Sequence, residues 1–339
     1  MAEKKSLNEL LKWSIINQAT EKEDASPRSS TIKPMEKMDP GLIEAILGKS
    51  ESQMMLEALQ VIKNPHSTDD EKDLAWEDFE MLIQQIDNAC NVENMKMWPP
   101  ILEELKSTNP KYREQAAWVC GTATQNNPKA QAAFLKEGGI QPVIGLLADP
   151  EPYVRAKAIY ALSGAIKHFE PALEEFKAVG GYKTLVDILK TDSRKSIRTA
   201  VRGYLSTSMN MELMSNQLAN HAAPFFPSAS PALIIDLTLV RKVVFLMNTL
   251  LIQDPSSSSA LVDLELIQTF GALLKKHMDD EDLVEKTLVA LKTFFDNAST
   301  PVPSATLDSI RPQVLEAKEK YADYILDKAS WADLEKRIA

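Results

Sequence analysis

The stretch FLKEGGIQPVIGLL, Phe134 to Leu147, decides the fold, because the chain repeats its pattern 42 residues later as FKAVGGYKTLVDIL, Phe176 to Leu189. Each copy has an aromatic residue before a Gly-Gly pair and a Leu-rich run after it. Glycine accepts the left-handed backbone that ends a helix, so each pair predicts a sharp turn between two helices. Pro142, just after the first pair, suits the first turn of the next helix.

An arginine recurs with the same period as this phrase. The steps are 42, 43 and 43 residues between Arg113, Arg155, Arg198 and Arg241. Periods of about 40 to 47 residues are typical of HEAT and armadillo solenoids, and a Gly-Gly pair before the last helix of a unit favours armadillo. A single unit is too small to bury its own apolar face, so the copies stack around one continuous core. The equivalent arginines predict a repeated ion pair or carbonyl contact between units, in preference to a ladder that binds a ligand.

The fold predicted from these patterns is all-α: a right-handed armadillo- or HEAT-like solenoid with a flexible N-terminal arm. No stretch shows the period-two alternation of a strand. The arm combines a short amphipathic helix, SLNELLKWSII at 6–16, with a polar linker, and cannot bury enough apolar surface to join the solenoid. The predicted division is an arm at 1–40, N-terminal capping helices at 41–73, repeats at 74–300 with a loop insertion at 221–232, and C-terminal capping helices at 301–339.

Composition narrows the choice of partner and compartment. The net charge is −10, from 48 acidic against 38 basic residues, and no basic stripe stands out, so nucleic acid is not an expected partner. The two cysteines, Cys90 and Cys120, have no neighbouring histidine cluster and indicate neither a disulfide framework nor a zinc site. The N-terminus does not have the pattern of a signal peptide, and no apolar run is long enough for a membrane span. We expect a cytoplasmic, monomeric protein.

Catalytic chemistry has no support in the sequence. Four histidines are scattered over different repeats without a nucleophile motif: His66, His168, His221 and His277. No P-loop, GxGxxG or HExxH pattern occurs, so we predict a protein that is not an enzyme and holds no cofactor and no metal.

Solenoids of this kind act as binding modules whose successive helices line a groove. Importin-type armadillo proteins hold basic peptides with a Trp and, four residues on, an Asn from each repeat. Here Trp118 is followed at that spacing by Thr122, and Tyr160 by Gly164, so this ladder is absent. An armadillo adaptor that binds some other extended peptide remains the alternative function.

Three segments carry a more specific resemblance: FEMLIQQIDNACNVENMKMW at 79–98, REQAAWVCGTATQNNPKAQ at 113–131 and VRAKAIYALSGAI at 154–166. They resemble the Fes/HspBP family of armadillo nucleotide exchange factors, which act on the seventy-kilodalton heat-shock chaperones. LLKWSIIN in the arm is similar to its counterpart there. The resemblance runs from about Leu7 to at least Leu205 and, without a signal peptide, points to the cytosolic, fungal-like form.

The resemblance implies a partner and a site. The partner is the nucleotide-binding domain of the chaperone, from which the protein promotes ADP release. Ala89 is small enough for a partner's backbone to approach closely, and Arg198 could reach a carboxylate. Polar residues at predicted helix ends can be caps, contacts or both. The predicted partner-binding residues are Ala89, Asn88, Asn126, Asn127 and Arg198.

The N-terminal segment is associated in that family with clearing substrate from the chaperone. The bulky side chains Leu10, Leu11, Trp13 and Ile15 suit a peptide-binding cleft. The other possibility is that these side chains dock back on the first repeat as a cap.

Overall fold

The computed structural model describes residues 48–190, 237–298, 301–321 and 324–339. The predicted arm, with Leu10, Leu11, Trp13 and Ile15, lies outside the described residues, and so does Arg198. In the described ranges every regular element is a helix, which confirms the all-α prediction. The helices are α1 (Glu51–Lys63), α2 (Asp69–Ile83), α3 (Ile86–Asn94), α4 (Trp98–Glu104), α5 (Pro110–Thr124), α6 (Pro128–Lys136), α7 (Ile140–Gly145), α8 (Pro152–Ile166), α9 (Glu170–Ala178), α10 (Gly181–Lys190), α11 (Leu237–Gln253), α12 (Ser258–Asp263), α13 (Leu266–Lys276), α14 (Glu281–Asn297), α15 (Ser304–Tyr321) and α16 (Lys328–Ile338).

The helices form an armadillo solenoid. Five of them, α2, α5, α8, α11 and α14, stack in a row, each against the next. Among the described helices, two shorter ones lie between each row helix and the next, and the second of each pair packs on the row helix that follows it, as α4 does on α5 and α7 on α8. One buried apolar cluster runs through all units, from Met55 to Ile338. The stacked-core solenoid predicted from the repeat is confirmed.

The repeated aromatic and Gly-Gly phrase is a packing unit. Gly138 and Gly180 adopt left-handed backbone, with φ of 71° and 79°. At the second glycine of each pair the reason is space: a Cβ on Gly139 would lie 2.3 Å from the ring of Phe134, and one on Gly181 2.2 Å from the ring of Phe176. The first glycine makes the turn and the second makes room for the aromatic ring. The phrase is repeated because both requirements recur in these two units.

The recurrent arginines make the structural contacts that their spacing predicts. The Arg113 guanidinium donates to the carbonyls of the residues six and five positions earlier, at 2.9 and 3.2 Å, and Arg155 repeats this pair of contacts at 2.7 and 3.0 Å. Arg113 also pairs with Asp149 at the end of its own unit, at 2.7 and 2.9 Å. Arg241 pairs with Asp280 and Asp282 at the start of α14. These arginines tie α5, α8 and α11 to the loops beside them.

The order of the row differs from the even 43-residue spacing. The expected neighbour of the Arg155 helix is the segment that carries Arg198, yet α11, which carries Arg241, packs directly on α8. Gln253 joins the C-terminal end of α11 to that of α8. Its Oε1 accepts from His168 N at 2.8 Å, and its Nε2 donates to Ile166 O at 3.2 Å. Helix α10 packs on α11 as α7 does on α8.

The expected boundary between the N-terminal cap and the repeats, at 73/74, falls inside α2. This helix cannot be divided there because it is continuous from its Thr68 capping box to Ile83. The part after residue 73 also buries Trp76 and Phe79 in the core. The expected boundary at 300/301 falls between α14 and α15.

Candidate partner-binding site

An open depression of about 440 Å³ lies where α2 and α3 meet α5. Helices α2 and α5 pack less closely than α5 and α8 do, which leaves this space between them. Its walls combine carboxylate, amide, hydroxyl and apolar groups, contributed by Glu80, Gln84, Ile86, Trp118, Thr122, Gln125, Asn126 and Tyr160. We call this site the α2–α5 depression.

Tyr160 is held in a fixed position at the α8 side of the depression. Its hydroxyl donates to Gln125 Oε1 at 2.9 Å and lies 3.5 Å from the hydroxyl of Thr122. The ring lies over Gly121, where a Cβ would be 2.4 Å from Tyr160 Cδ1. Gly121 therefore allows α8 to approach α5 and sets the place of the tyrosine.

Trp118 is covered by a lysine from the next row helix. Lys157 Nζ lies 3.4 Å from the centroid of the indole ring, well within the range of a cation–π contact. Burial lowers the pKa of Lys157, as does the charge of Lys242, and the carboxylates of Glu114 and Glu80 oppose the shift. The indole is half-buried, so part of it remains available to a ligand in the depression.

Aromatic residues occupy the same position on three successive row helices. After each of the helices α5, α8 and α11, the residue that precedes the next helix has a similar backbone, with φ between −125° and −134°. These residues are Asn127, Phe169 and Asp254. Nine residues before these lie Trp118, Tyr160 and Phe245. We call these three residues the aromatic row. Phe245 is 53% exposed, and two further exposed apolar residues, Ile86 and Ile252, lie near the ends of the row.

The sequence repeats do not single out Phe245. Aligning the repeats on arginine places Phe245 four residues after Arg241, whereas Trp118 and Tyr160 come five residues after theirs. Phe245 is found when the repeats are aligned at the C-terminal ends of the row helices and not on the arginines near their N-terminal ends.

The structure places the four predicted site residues that it describes in two different environments. Asn88 is buried, and its amide donates to Glu51 Oε2 at 2.8 Å and to Leu82 O at 2.9 Å. Asn127 is also buried and caps α6, accepting from Ala130 N at 3.3 Å, which confirms the capping interpretation for this residue. Ala89 is only 3% exposed. An Arg at this position would have to enter the core, so Ala89→Arg would report on folding rather than on a contact.

Asn126 is the one of these four residues that lies on the surface. It is exposed, has a left-handed φ of 53° and lines the α2–α5 depression. Contact at Ala89 in the form expected, with a partner's backbone directly over it, would require the surrounding helices to move apart. Partner binding by Asn88, Ala89, Asn126, Asn127 and Arg198 stays a prediction, and Arg198 lies outside the described residues.

The histidines of the described ranges lie apart from one another. His66, His168 and His277 lie in separate units, and His221 is outside the described residues. Nowhere in the described part of the chain do three or more His, Cys, Asp or Glu side chains gather as metal ligands could. Among the helices of that part, none combines the length and apolarity needed to cross a bilayer. Burial raises the pKa of the Cys120 thiol, which opposes formation of the reactive thiolate.

Comparison with known proteins identifies the family. Residues 7–92 match the family model for the nucleotide exchange factor Fes1, and residues 88–224 match that for the SIL1/FES1/HPBP1 C-terminal domain. A protein of Yarrowia lipolytica named "Hsp70 nucleotide exchange factor FES1" is 33% identical over 209 residues, which are 61% of this chain and 71% of that relative. The chain belongs to the Fes1 family of nucleotide exchange factors.

Two further Fes1 relatives carry the same name. The protein of Scheffersomyces stipitis is 37% identical over 62% of this chain and 74% of its own length, and that of Gibberella zeae is 36% identical over 58% of this chain and 94% of its own length. The family matches end at residue 224, before α11 begins. The resemblance to Fes/HspBP proteins predicted from the sequence is therefore confirmed.

Solved structures agree with the fold of this Fes1 family member. A designed armadillo repeat protein superposes with a TM-score of 0.57 at 11% identity, covering 86% of this chain and 100% of its own. A computationally designed armadillo repeat protein made for modular peptide recognition gives 0.54 at 12% identity, over 85% and 97% of the two chains. Likeness at this identity establishes the armadillo architecture and nothing about ligands.

Proposed function

We propose that this protein binds the nucleotide-binding domain of an Hsp70 chaperone and promotes release of its ADP. The observation that carries the proposal is the name that the relatives share, "Hsp70 nucleotide exchange factor", together with the match over 71–94% of the length of three of them. The protein acts as a monomer in the cytoplasm and catalyses no reaction of its own. The arm at 1–40 helps to clear substrate from the chaperone, with Leu10, Leu11, Trp13 and Ile15 entering its peptide cleft.

The mechanism needs only differential binding. If the solenoid binds the nucleotide-binding domain more tightly when its lobes are apart than when they are closed on nucleotide, nucleotide affinity falls by the same factor. The relation is reciprocal, so ATP weakens the complex with the exchange factor. A 100-fold effect corresponds to a coupling free energy of about 2.7 kcal/mol. A specific interface of ordinary size can supply this.

The aromatic row is the surface best suited to this contact. Trp and Tyr are enriched among the residues that dominate interface energetics, because each buries a large rigid area and keeps a polar handle. Trp118 and Tyr160 are already fixed by Lys157 and Gln125, so little side-chain entropy is lost on binding. Phe245 extends the row to a third unit and is 53% exposed.

The first prediction concerns exchange itself. We expect the protein at saturating concentration to speed release of a fluorescent ADP analogue from purified Hsp70 at least tenfold, and to hydrolyse no ATP alone. The reason is the coupling just described, which weakens nucleotide binding in proportion to the preference for the open domain. Stopped-flow fluorescence measures the release rate. Unchanged release kinetics at saturation would contradict the proposed function.

The second prediction locates the contact. Phe245→Glu is expected to weaken binding to Hsp70 at least tenfold, because it places a charge where an apolar ring would be buried against the partner. Leu315→Glu is the matched control, since Leu315 is also an exposed apolar residue on a helix, α15, and is remote from the aromatic row in sequence and unit. Isothermal titration calorimetry measures both affinities. If the Phe245→Glu and Leu315→Glu variants bound Hsp70 with equal affinity, Phe245 would not be part of the interface. The exchange activity is tested by the first prediction.

The alternative function is still an armadillo adaptor that binds an extended peptide, and one form of it, the importin-type ladder, meets a structural obstacle. The ladder needs Asn at the position of Gly164, where even a Cβ would lie 2.8 Å from Gly121 O and 2.8 Å from Thr124 Oγ1. The close packing of α5 on α8 therefore excludes the ladder side chain in this unit.

A further inference from the structure

We propose that residues 7–16 of this chain dock into its own α2–α5 depression when no partner occupies it. This goes beyond the proposed exchange function and does not depend on it. Three observations support it: where the chain leaves the described residues, what the depression offers, and what the segment carries.

The described chain begins beside the depression. Glu51, the first residue of α1, accepts from Gln85 Nε2 at 3.0 Å and from Asn88 Nδ2 at 2.8 Å. Gln85 stands between Gln84 and Ile86, which both line the depression. Gly48 precedes Glu51 by three residues, a reach of at most about 11 Å. Residues 1–47 therefore start from the edge of this site rather than from the far end of the solenoid.

The connecting segment is long enough to return. Residues 17–47 number 31, and a chain of that length can reach at most about 110 Å when fully extended, more than enough to return to the depression. Tethering at this length gives an effective concentration on the order of 1 mM. A contact with a Kd of about 0.1 mM would then be roughly 90% occupied within one chain.

The depression and the segment complement each other. At about 440 Å³ the depression falls within the usual 300–1,000 Å³ of sites that take compact apolar ligands. Ile86 at its rim is 69% exposed and the Trp118 indole is half-buried, so both leave apolar surface to cover. The segment SLNELLKWSII carries Leu10, Leu11, Trp13 and Ile15.

Charge also favours this pairing. Glu80 lines the depression, and its carboxylate accepts only from the neutral amide of Gln84, at 3.0 Å, among the hydrogen bonds of the described residues. The segment carries Lys12 and Glu9, and Glu3, Lys4 and Lys5 precede it, so residues 1–16 hold three lysines and two glutamates. Cations beside an acidic wall add attraction to the apolar contact.

The test is photo-cross-linking in the full chain. Trp13 is replaced by benzoyl-phenylalanine, the protein is irradiated, and peptides are mapped by mass spectrometry. The expected result is cross-links to peptides containing residues 80–86 and 118–126, with a yield that does not change with protein concentration. The yield should fall at least fivefold in Ile86→Glu. This change suits the first turn of α3, where a carboxylate is favourable.

Met81→Glu is the matched control. Met81 is 61% exposed, lies on α2 and does not line the depression, so its replacement should leave the yield within twofold. Cross-links to the Leu74 and Met81 surface, cross-links that grow with protein concentration, or a yield unaffected by Ile86→Glu would each overturn the proposal. Because the experiment contains no chaperone, its failure leaves the exchange function untouched.

Discussion

Replacing Asp149 with alanine is expected to lower the free energy of unfolding by about 3–5 kcal/mol. Asp149 receives two parallel hydrogen bonds from the Arg113 guanidinium, at 2.7 and 2.9 Å, and a third from Glu151 N at 2.9 Å. The two side chains of the ion pair are 6% and 0% exposed. Removing the carboxylate takes two buried charge-assisted hydrogen bonds away from the Arg113 guanidinium at the junction of two units, and the loss of this buried contact is the source of the destabilisation.

The matched control is a surface ion pair that also joins neighbouring units. Lys136 on α6 and Glu93 on α3 lie 2.7 Å apart, with side chains 69% and 35% exposed. Glu93→Ala should cost no more than about 1 kcal/mol, because solvent screens the pair. Urea unfolding followed by circular dichroism measures both variants. A cost for Asp149→Ala as small as that for Glu93→Ala would mean that the buried pair does not hold the units together.

Gly164→Ala is expected to destabilise the protein by about 1–3 kcal/mol, although alanine normally improves a helix interior by roughly 0.5–1 kcal/mol. The new Cβ would lie 2.8 Å from Gly121 O and 2.8 Å from Thr124 Oγ1. Neither neighbour can easily yield, since one is backbone of α5 and the other already donates to Cys120 O at 2.7 Å. Helices α5 and α8 would have to separate, and the cost is lost packing along their contact.

Gly145→Ala provides the comparison for this change. Gly145 is also helical, with φ −55° and ψ −39°, and a Cβ there would meet nothing within 4 Å. Its replacement should leave stability unchanged or raise it by up to about 1 kcal/mol, as helix propensity predicts. The difference between the two variants in urea unfolding isolates the steric effect. If both alanine variants were equally stable, the close approach of α5 and α8 would not be required for folding.

Much of the fold was predictable because its signals are local and periodic. The Gly-Gly turns require a left-handed φ at the first glycine and space for an aromatic ring at the second. The residues that set both requirements lie within a few positions of Gly138 and Gly180. The carbonyl contacts of Arg113 and Arg155 recur because each of these two guanidinium groups reaches the carbonyls five and six residues before it. Such features repeat wherever the local sequence repeats, so a period can be read directly.

The site was less predictable because exposure at a helix end is decided by other helices. Asn88, Asn126 and Asn127 are alike in sequence context, yet Asn126 faces the depression while the other two are buried under Glu51 and Ile86. Ala89 is small, which suits close approach by a partner and equally suits burial against its own neighbours. Sequence spacing cannot distinguish these cases.

By itself, then, the sequence determined the all-α armadillo architecture, the turns, the recurrent arginine contacts and the family. The tertiary structure decided which row helix follows which, and hence that Trp118, Tyr160 and Phe245 share one face. The physical reason is that stacking is governed by which apolar faces fit, not by the number of residues between them. Two helices 86 residues apart, at Arg155 and Arg241, can therefore be neighbours, and their register is set at the helix ends that meet through Gln253.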